Sequence, residues 1–584
     1  MLKYKLKENS IKINSETPMI DYLKSLGIEN TDSFLRKPQP WEELSPYSLD
    51  NMDLAVGLLH EMFNENSPIY LQVDCDVDGY TSAAIFYRYF KSIYPSARII
   101  WDLHDDKEHG VVIDKVPRNV KYVVIPDAGS SQYEEQKALI ERGCKILILD
   151  HHVVQNYYEH PDVIIVNSQL GTFENRALSG GGVVLKTIQA YSDTVLNDSS
   201  WEEYYDLAAI ALISDMMDMR TLDNNSIVYK GLSKIKNPML ATILRHQAFR
   251  LEDINHPTKI DIAFYVAPLI NSVIRVGSAE EKQLLFSAFI SEPIEWLAAK
   301  QHPGETYYDC AARICSNAHS RQNNQKTKCF NFLRDRIDEN HLDQNKIIAV
   351  IASKEDKVVV PQTITGLIAM ELMKHYNKPV LVLRPKTENG VLYYCGSGRG
   401  KQADGFDNFL QFTIESKLTN YGAGHNFAFG FGIEAEKFND FIDECNTRLK
   451  DVEFDVDFVA VDAIFNQNNI NYRMLYEFAA YKYVYGNGIP QPKIAIEGDF
   501  SPANVRVMGK ENDSLRFNFA NGLCAVRFKD AALVEQINSM PSFHCKMVGR
   551  VQLNEWKGNT TTQMIIDEIE VEENKTPITK GKLF

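Results

Sequence analysis

Three apolar runs in the first third of the chain end in side chains that bind metals or move protons. Leu71-Gln72-Val73 leads into Asp74-Cys75-Asp76-Val77-Asp78-Gly79, Val123-Val124-Ile125 into Pro126-Asp127, and Ile146-Leu147-Ile148-Leu149 into Asp150-His151-His152. A fourth apolar stretch, Ala208–Ile213, delivers Asp215. Carboxylates this dense repel one another and cost desolvation unless cations sit among them. Mixed aspartate and histidine ligation suits hard divalent ions, Mn2+ or Mg2+, better than a thiolate-seeking metal. Two such ions about 4 Å apart can activate a water and neutralise a scissile phosphate. Singly, each piece has a plainer reading. An aspartate at a strand end is usually a helix cap or turn residue. Asp74–Gly79 could pass for half a calcium loop but lacks the later glutamate, and His151-His152 alone could be surface residues. Three strand ends of one chemical kind, with Asp215 added, outweigh those readings.

The pattern around these residues says what positions them. A helical apolar spacing covers Leu54–Phe63. Strands are expected at Ile69–Val73, Tyr122–Ile125, Lys145–Leu149 and Val163–Val166, with helices at Thr81–Tyr94 and Gln132–Arg142 between them. Strands alternating with helices predict a parallel sheet covered on both faces. Ligands of such sheets gather at the carboxyl ends of the strands, so the acidic and imidazole groups should converge at one rim. Tyr204–Met217 and Leu285–Lys300 read as further helices. Thr306–Glu339 has no Pro or Gly and is rich in Arg, Lys, Asn and Gln, which predicts a long, mostly solvated helix linking two lobes. A second α/β pattern follows: Ile347–Ile351, Ile364–Tyr376, Val380–Leu383 and Leu392–Cys395. From about 456 short strands crowd together at Ile494–Gly498, Val505–Met508, Leu515–Ala520, Leu523–Phe528 and Cys545–Leu553, as in a small barrel of the OB type.

Length and composition bound the answer. The 584 residues imply several domains. The net charge of −16 runs against a basic nucleic-acid-binding surface, although a metal-dependent nuclease concentrates carboxylates at its centre and can still line a cleft with Arg and Lys. No apolar run reaches the ~18 residues of a membrane span, and Met1–Ser10 lacks the apolar core of a secretory signal. The nine cysteines are scattered without a CxxC pair, which argues against a disulfide framework or a structural zinc and for a reducing cytoplasm.

On these motifs the chain resembles the RecJ-like single-strand-specific exonucleases of the DHH phosphoesterase superfamily. Asp74–Ser82 resembles their first motif, Pro126-Asp127-Ala128-Gly129 the second, Asp150-His151-His152 the triplet that names the superfamily, and Asp215 the fourth. Leu178-Ser179-Gly180-Gly181-Gly182-Val183 resembles the glycine-rich segment between the third and fourth motifs. Asn271 and Arg275 fit the family's Asn…Arg stretch. Gly396-Ser397-Gly398-Arg399 and Tyr421-Gly422-Ala423-Gly424-His425 resemble the two glycine-rich pieces of the DHH-associated domain. Tyr485–Pro492 resembles the Gly/Pro segment ahead of the family's OB domain. The likeness runs from about 65 to about 555 in matching order and spacing.

The resemblance implies an α/β fold: a parallel-sheet DHH domain and a second α/β lobe joined by a long helix, with a C-terminal OB-like β-barrel. The expected divisions are a lead-in at 1–50, read as irregular, a DHH catalytic domain at 51–300, a connector helix at 301–340, a DHH-associated domain at 341–455, an OB-like domain at 456–572 and a disordered tail at 573–584. It also implies two divalent ions, Mn2+ or Mg2+. Asp76 and Asp127 would hold one, and Asp78, Asp127, His151 and Asp215 the other. Asp74 would stand beside the first or ligate weakly, Asp150 would orient His151, and His152 would face the phosphate or the attacking water. Asn271, Arg275, Ser397, Arg399, Gly422, Gly424 and His425 would contact substrate, the glycine-rich pieces as turns whose backbone N–H groups approach phosphate. In the third region Arg506, Arg516, Phe517, Phe519, Arg527 and Phe528 are candidates for stacking and backbone contact.

The activity implied is hydrolysis of single-stranded DNA from an end, 5′→3′, by a two-metal-activated water, in DNA repair, recombination or phage DNA metabolism. A cytoplasmic monomer is expected, with a single-strand-binding protein or a helicase as partner and no membrane. Rival readings are a DHH phosphodiesterase for short oligonucleotides, cyclic dinucleotides or RNA, and a catalytically dead binding module. The OB-like region disfavours a small substrate, and the complete ligand set disfavours a dead module. The chain departs from the family pattern at Cys75, where an aromatic is usual, at Ala423 and Gly400, at Pro361-Gln362-Thr363, and in the loop Trp101–Gly110.

Overall fold

The structure is a computed structural model that describes residues 2–105, 108–294, 300–454, 458–519, 522–556 and 558–574. Its first lobe is built on a five-stranded, all-parallel sheet in the order Ile99–Leu103, Ile69–Val73, Tyr122–Pro126, Lys145–Asp150, Val163–Asn167. Alternation along each strand feeds two cores. Leu71, Val73, Val124, Leu147 and Leu149 join helices Met52–Asn64, Val77–Ile93, Gly180–Tyr191 and Tyr205–Ser214 on one face. Tyr70, Val123, Ile125, Ile146 and Ile148 meet Leu139 of helix Tyr133–Glu141 on the other. Burial on both faces is why these strands read as unbroken apolar runs.

The Trp101–Gly110 stretch, read as a loop, begins inside the Ile99–Leu103 strand. It lies at the sheet edge and keeps Asp102 and partly exposed neighbours, so no buried run marks it. Helix Val77–Ile93 starts four residues ahead of the expected Thr81. Asp76 caps it by accepting the Gly79 N–H at 3.0 Å, which puts Asp78 in the first turn. The expected Leu285–Lys300 helix is instead Ala279–Ile290, started by a Ser278/Glu281 capping box; residues 295–299 lie outside the described residues.

The connector is one helix, Tyr307–Glu339, of 33 residues and therefore about 50 Å long. It is less solvated than its composition suggests. Cys310, Ile314, Cys315 and Ala318 enter the first lobe's core, and Cys329, Leu333 and Ile337 enter a core of the second lobe. One rigid element thus spans both lobes. The second lobe carries a five-stranded sheet in the order Thr419–His425, Ala428–Glu434, Val391–Arg399, Val380–Glu388, Ile348–Ile351, parallel only at the last pair.

The third region is a seven-stranded sheet in the order Ala463–Asn466, Ile494–Phe500, Phe543–Trp556, Asn559–Glu573, Cys524–Arg527, Ser514–Asn518, Val505–Met508. This arrangement is consistent with an OB-like domain; no hydrogen-bonded pairing joins its two end strands among the described residues. The first 50 residues are not an irregular lead-in. Tyr4–Leu6 pairs in parallel with Val459–Val461, and helices Pro18–Ser25 and Thr31–Leu35 place Met19, Tyr22, Leu23 and Phe34 in one core with Phe478, Tyr485, Phe517 and Met547. The expected disordered tail falls mostly on 575–584, outside the described residues. No helix among the described residues is long and apolar enough to cross a membrane.

Candidate metal centre

Asp74 leaves the end of Ile69–Val73, and its carboxylate accepts the Gly110 N–H at 3.0 Å and contacts His109 Nδ1 at 2.7 Å. A Cβ on Gly79 would come within 2.6 Å of Asp74 Cβ, so the turn requires glycine there. Asp78 is held from the opposite side by the glycine-rich segment. Ser179 caps helix Gly180–Tyr191, and the Gly180 and Gly181 N–H groups donate to the Asp78 carboxylate at 2.9 and 2.8 Å, joined by Ser82 Oγ at 3.1 Å. The helix N-terminus therefore presents its partial positive charge to an aspartate.

Asp127 adopts a left-handed backbone, φ 65°, while its N–H donates to the Leu149 carbonyl at 2.8 Å. Its buried Oδ1 accepts no hydrogen bond among the described residues. His151 Nε2 lies 3.2 Å from Asp127 Oδ1, 3.5 Å from Asp215 and 3.8 Å from Asp78. Asp74, Asp76 and Asp127 form one group of potential ligands and Asp78, His151 and Asp215 another, with donor atoms inside each group lying within 4.8 Å. Asp127 touches both through its contact with His151.

The electrostatics follow from this crowding. Burial, then Asp78, Asp76 and Asp74, push the Asp127 pKa well above the usual carboxylate range. Asp215 is pushed up to about 8 by burial and by Asp78 and Asp76, and burial with Asp74 and Asp78 raises Asp76. Burial keeps His151 below the usual imidazole value, hence neutral with a lone pair to give. Mutually repelling carboxylates, an unpartnered buried oxygen and a neutral imidazole fit a pair of hard divalent cations.

Asp150 holds His151 through the backbone N–H and reaches the ring of His152 as well. Its Oδ1 accepts both histidine N–H groups, at 2.7 and 3.1 Å, and contacts His152 Nδ1 at 2.8 Å, while Oδ2 accepts the Ser130 N–H at 3.1 Å. These bonds hold the Asp150 carboxyl far below its usual range despite burial. The braced His152 ring is exposed at the mouth of the centre.

Helix Ala267–Val276 of the first lobe and the sheet of the second lobe carry the remaining expected contact residues. Asn271 and Arg275 sit one turn apart on helix Ala267–Val276. Burial depresses the Arg275 pKa, with Asp76 close enough to oppose the shift; burial and then the charge of Arg275 depress that of Arg399, one residue from each lobe. Neither is within 4 Å of a carboxylate among the described residues. Ser397 Oγ bonds Thr365 Oγ1 at 2.9 Å, and a Cβ on Gly366 would meet Arg399 Nη2 at 2.5 Å, which seats both residues on the start of helix Thr365–Tyr376. His425 is near enough to His151 to disfavour its protonation.

The glycine-rich pieces are strands, not turns. Gly396 and Gly398 lie in Val391–Arg399, where a Cβ on Gly398 would come within 2.6 Å of the Phe429 ring. Gly422 and Gly424 lie in the edge strand Thr419–His425, beside the exposed Tyr421. In the third region Phe517 is core, Phe519 packs against that core, and Arg527 pairs with Asp530, whereas Arg506 and Phe528 are exposed.

Sequence reasoning missed three supports. His109 braces Asp74 from a loop whose only signal was two histidines within six residues. Gly180 and Gly181 grip Asp78. Asn487 donates through Nδ2 to the Met216 carbonyl and accepts the Met219 N–H at 3.0 Å, tying the third region to the segment that follows Asp215.

Known protein families match the first lobe and the third region. The DHH family, N-terminal domain, matches residues 68–212, and the RecJ OB domain matches 461–568. A prophage-derived protein of Bacillus subtilis strain 168, YorK, named for single-strand DNA-specific exonuclease activity, is 33% identical over 568 residues, covering 96% of each chain. The single-stranded-DNA-specific exonuclease RecJ of the same organism is 23% identical over 92% of this chain and 65% of its own. The crystal structure of RecJ in complex with Mn2+ from Thermus thermophilus superposes with a TM-score of 0.72 at 19% identity, covering 98% of this chain and 80% of that one.

Proposed function

We propose that this chain, which belongs to the RecJ-like exonuclease family of the DHH superfamily, hydrolyses single-stranded DNA from an end with the help of two divalent cations, Mn2+ or Mg2+. The observation that carries the reading is Asp127 Oδ1, buried without a hydrogen bond among the described residues where two groups of ligand-type side chains meet. Asp76 and Asp127 would hold one ion, with Asp74 beside it, and Asp78, Asp127, His151 and Asp215 the other. When bound, such a pair supplies an activated water and neutralises charge on the phosphate.

The chain's own residues do the rest. Asp78 is locked by two backbone N–H groups and Ser82, so a ligand position is fixed before any ion arrives. Asp150 fixes His152 through Nδ1, leaving Nε2 to approach a phosphate oxygen. The Arg275 charge already disfavours that of Arg399, neither has a carboxylate partner among the described residues, and an anion bound by both would offset that repulsion. Arg275 and Arg399 therefore serve as a phosphate clamp from both lobes, with Asn271, Ser397 and His425 beside it and the Gly422–Gly424 edge strand flanking the path. The third region adds single-strand binding through exposed Arg506 and Phe528.

The domain divisions expected from the sequence are retained with one change: the strand and helices within 1–50 belong with the OB-like region. The family likeness supports 5′→3′ polarity, a cytoplasmic monomer, a role in DNA repair, recombination or phage DNA metabolism, and a single-strand-binding protein or helicase as partner. The test is digestion of end-labelled single-stranded DNA, duplex DNA and RNA with added Mn2+, each strand blocked at its 5′ or its 3′ end. Rapid loss of single-stranded DNA, blocked only by the 5′ cap, is expected. Activity confined to di- and trinucleotides would refute the polymer substrate, and resistance of the 3′-blocked strand alone would reverse the polarity.

A further inference from the structure

We propose that Asp74, Cys75 and His109 form a third cation site, for a thiophilic divalent ion such as Zn2+, at the rim of the metal centre. Cys75 Sγ lies 3.7 Å from His109 Nδ1 and 3.8 Å from Nε2, and His109 Nδ1 lies 2.7 Å from Asp74 Oδ2. A tetrahedral zinc with Zn–S of about 2.3 Å and Zn–N or Zn–O of about 2.0–2.1 Å separates its donors by roughly 3.3–3.6 Å. The observed separations bracket that range, so a small rotation of the half-exposed His109 ring completes the geometry.

A second observation points the same way. The His104 side chain is fully buried, its Nε2 stands 3.8 Å from Asp74 Oδ1, and neither ring nitrogen has a hydrogen-bond partner among the described residues. A buried imidazole without a hydrogen bond calls for an explanation, and a bound ion is one; a shift of the His104 ring towards Asp74 would add a fourth donor on the closed side. The set of thiolate, imidazole and one carboxylate differs in kind from the aspartate-rich groups beside it, and it selects a softer ion.

Binding is a proton-for-metal exchange. The Cys75 thiol and the protonated His109 ring each release one proton to solvent as the His109–Asp74 hydrogen bond opens, and the thiolate, a ring lone pair and a carboxylate oxygen take up the ion. Asp74 also lies within 4.8 Å of ligand atoms on Asp76 and Asp127. An ion held at Cys75 therefore competes for Asp74 and repels a hard cation at Asp76 and Asp127. This antagonism, unlike the site itself, rests on the two-cation reading above.

The experiment uses the full-length reduced chain with Co2+ as a spectroscopic stand-in for zinc. A thiolate-to-cobalt charge-transfer band is expected in the wild type, removed by zinc and absent from Cys75→Ser. Cys395→Ser, which changes the other cysteine that is not buried, should keep it. His109→Ala should weaken cobalt affinity about tenfold or more, the expected scale for loss of a ligand. In parallel, zinc should inhibit Mn2+-supported digestion at a concentration about tenfold lower in the wild type than in Cys75→Ser. Absence of a thiolate band, or its persistence in Cys75→Ser, overturns the site whatever the digestion assay gives. A Cys75-dependent band with equal zinc inhibition in both proteins overturns the antagonism.

Discussion

Replacing Gly180 by alanine tests how tightly the centre is assembled. Gly180 opens the helix whose N-terminus grips Asp78, and its φ lies outside the left-handed region, so alanine is compatible with the backbone. The added methyl would lie 2.6 Å from Asp127 Cβ and 2.7 Å from its carboxyl carbon. Carbon atoms pack at about 3.5–4.0 Å, so Asp127 must retreat by about 1 Å. A displacement of that size at a reacting centre costs about 100-fold, or about 2.7 kcal/mol of transition-state stabilisation. Stability should change far less. Alanine gains up to about 1 kcal/mol in helix propensity over glycine, against about 1–3 kcal/mol for overpacking. The assay pairs kcat/KM on labelled single-stranded DNA with Mn2+ affinity from paramagnetic resonance and a thermal melt. Expected are a near-native melt, weakened Mn2+ binding and a loss of about two orders of magnitude in kcat/KM. A Gly180→Ala protein within about threefold of wild type, with unchanged Mn2+ affinity, would refute the placement of Asp127 against this helix.

Three further perturbations probe the surroundings. Arg399→Ala removes one arm of the phosphate clamp, a charged hydrogen bond worth about 1.5–3 kcal/mol; kcat/KM should fall about 10- to 150-fold, chiefly through KM, with Mn2+ binding intact and a shallower salt dependence. Tyr22→Ala removes a fully buried ring that packs edge-on against Phe478 and donates to the Pro490 carbonyl at 2.6 Å. Calorimetry should show a loss of about 3–5 kcal/mol, and an isolated 456–574 fragment should fold only when residues 1–37 are supplied. Asn487→Ala removes the Nδ2 bond to the Met216 carbonyl behind Asp215 and keeps the backbone bond to Met219; loss of that one bond, about 0.5–1.5 kcal/mol, should weaken Mn2+ binding about 2- to 12-fold even though no ligand changes, and unaltered Mn2+ affinity would show that the tie is only structural.

The legible part of the centre was the part written locally. Asp74–Asp78, Asp127 and Asp150–His152 each follow a strand buried on both faces, so an unbroken apolar run ending in a polar cluster marked both the strand and its rim. What was illegible depends on partners far away in the chain. Gly180 and Gly181 meet Asp78 across 102 and 103 residues, and nothing local says which carboxylate a glycine-rich helix start will hold. Helix Pro18–Ser25 is too short for its periodicity to register, and its partner Phe478 comes from the other end of the sequence. Gly396 and Gly398 read as a turn because glycine is rare in strands. Here a neighbouring strand and the Phe429 ring leave no room for side chains, a packing fact without local trace. The Asp150 contact with the His152 ring was equally illegible, because adjacent residues differ only in which way the chain turns after the strand.

The most direct test of the central claim is a count of bound ions in Asp127→Asn. Asparagine tolerates the left-handed backbone at this position and removes the charge while nearly preserving shape. Titration followed by paramagnetic resonance should find about two Mn2+ per wild-type chain, as a two-ion centre requires, and at most one in the variant. The variant's digestion of single-stranded DNA should fall below about 1% of wild type, the scale on which loss of a principal catalytic group is felt. A folded Asp127→Asn protein that binds two Mn2+ and digests DNA at the wild-type rate would contradict the account.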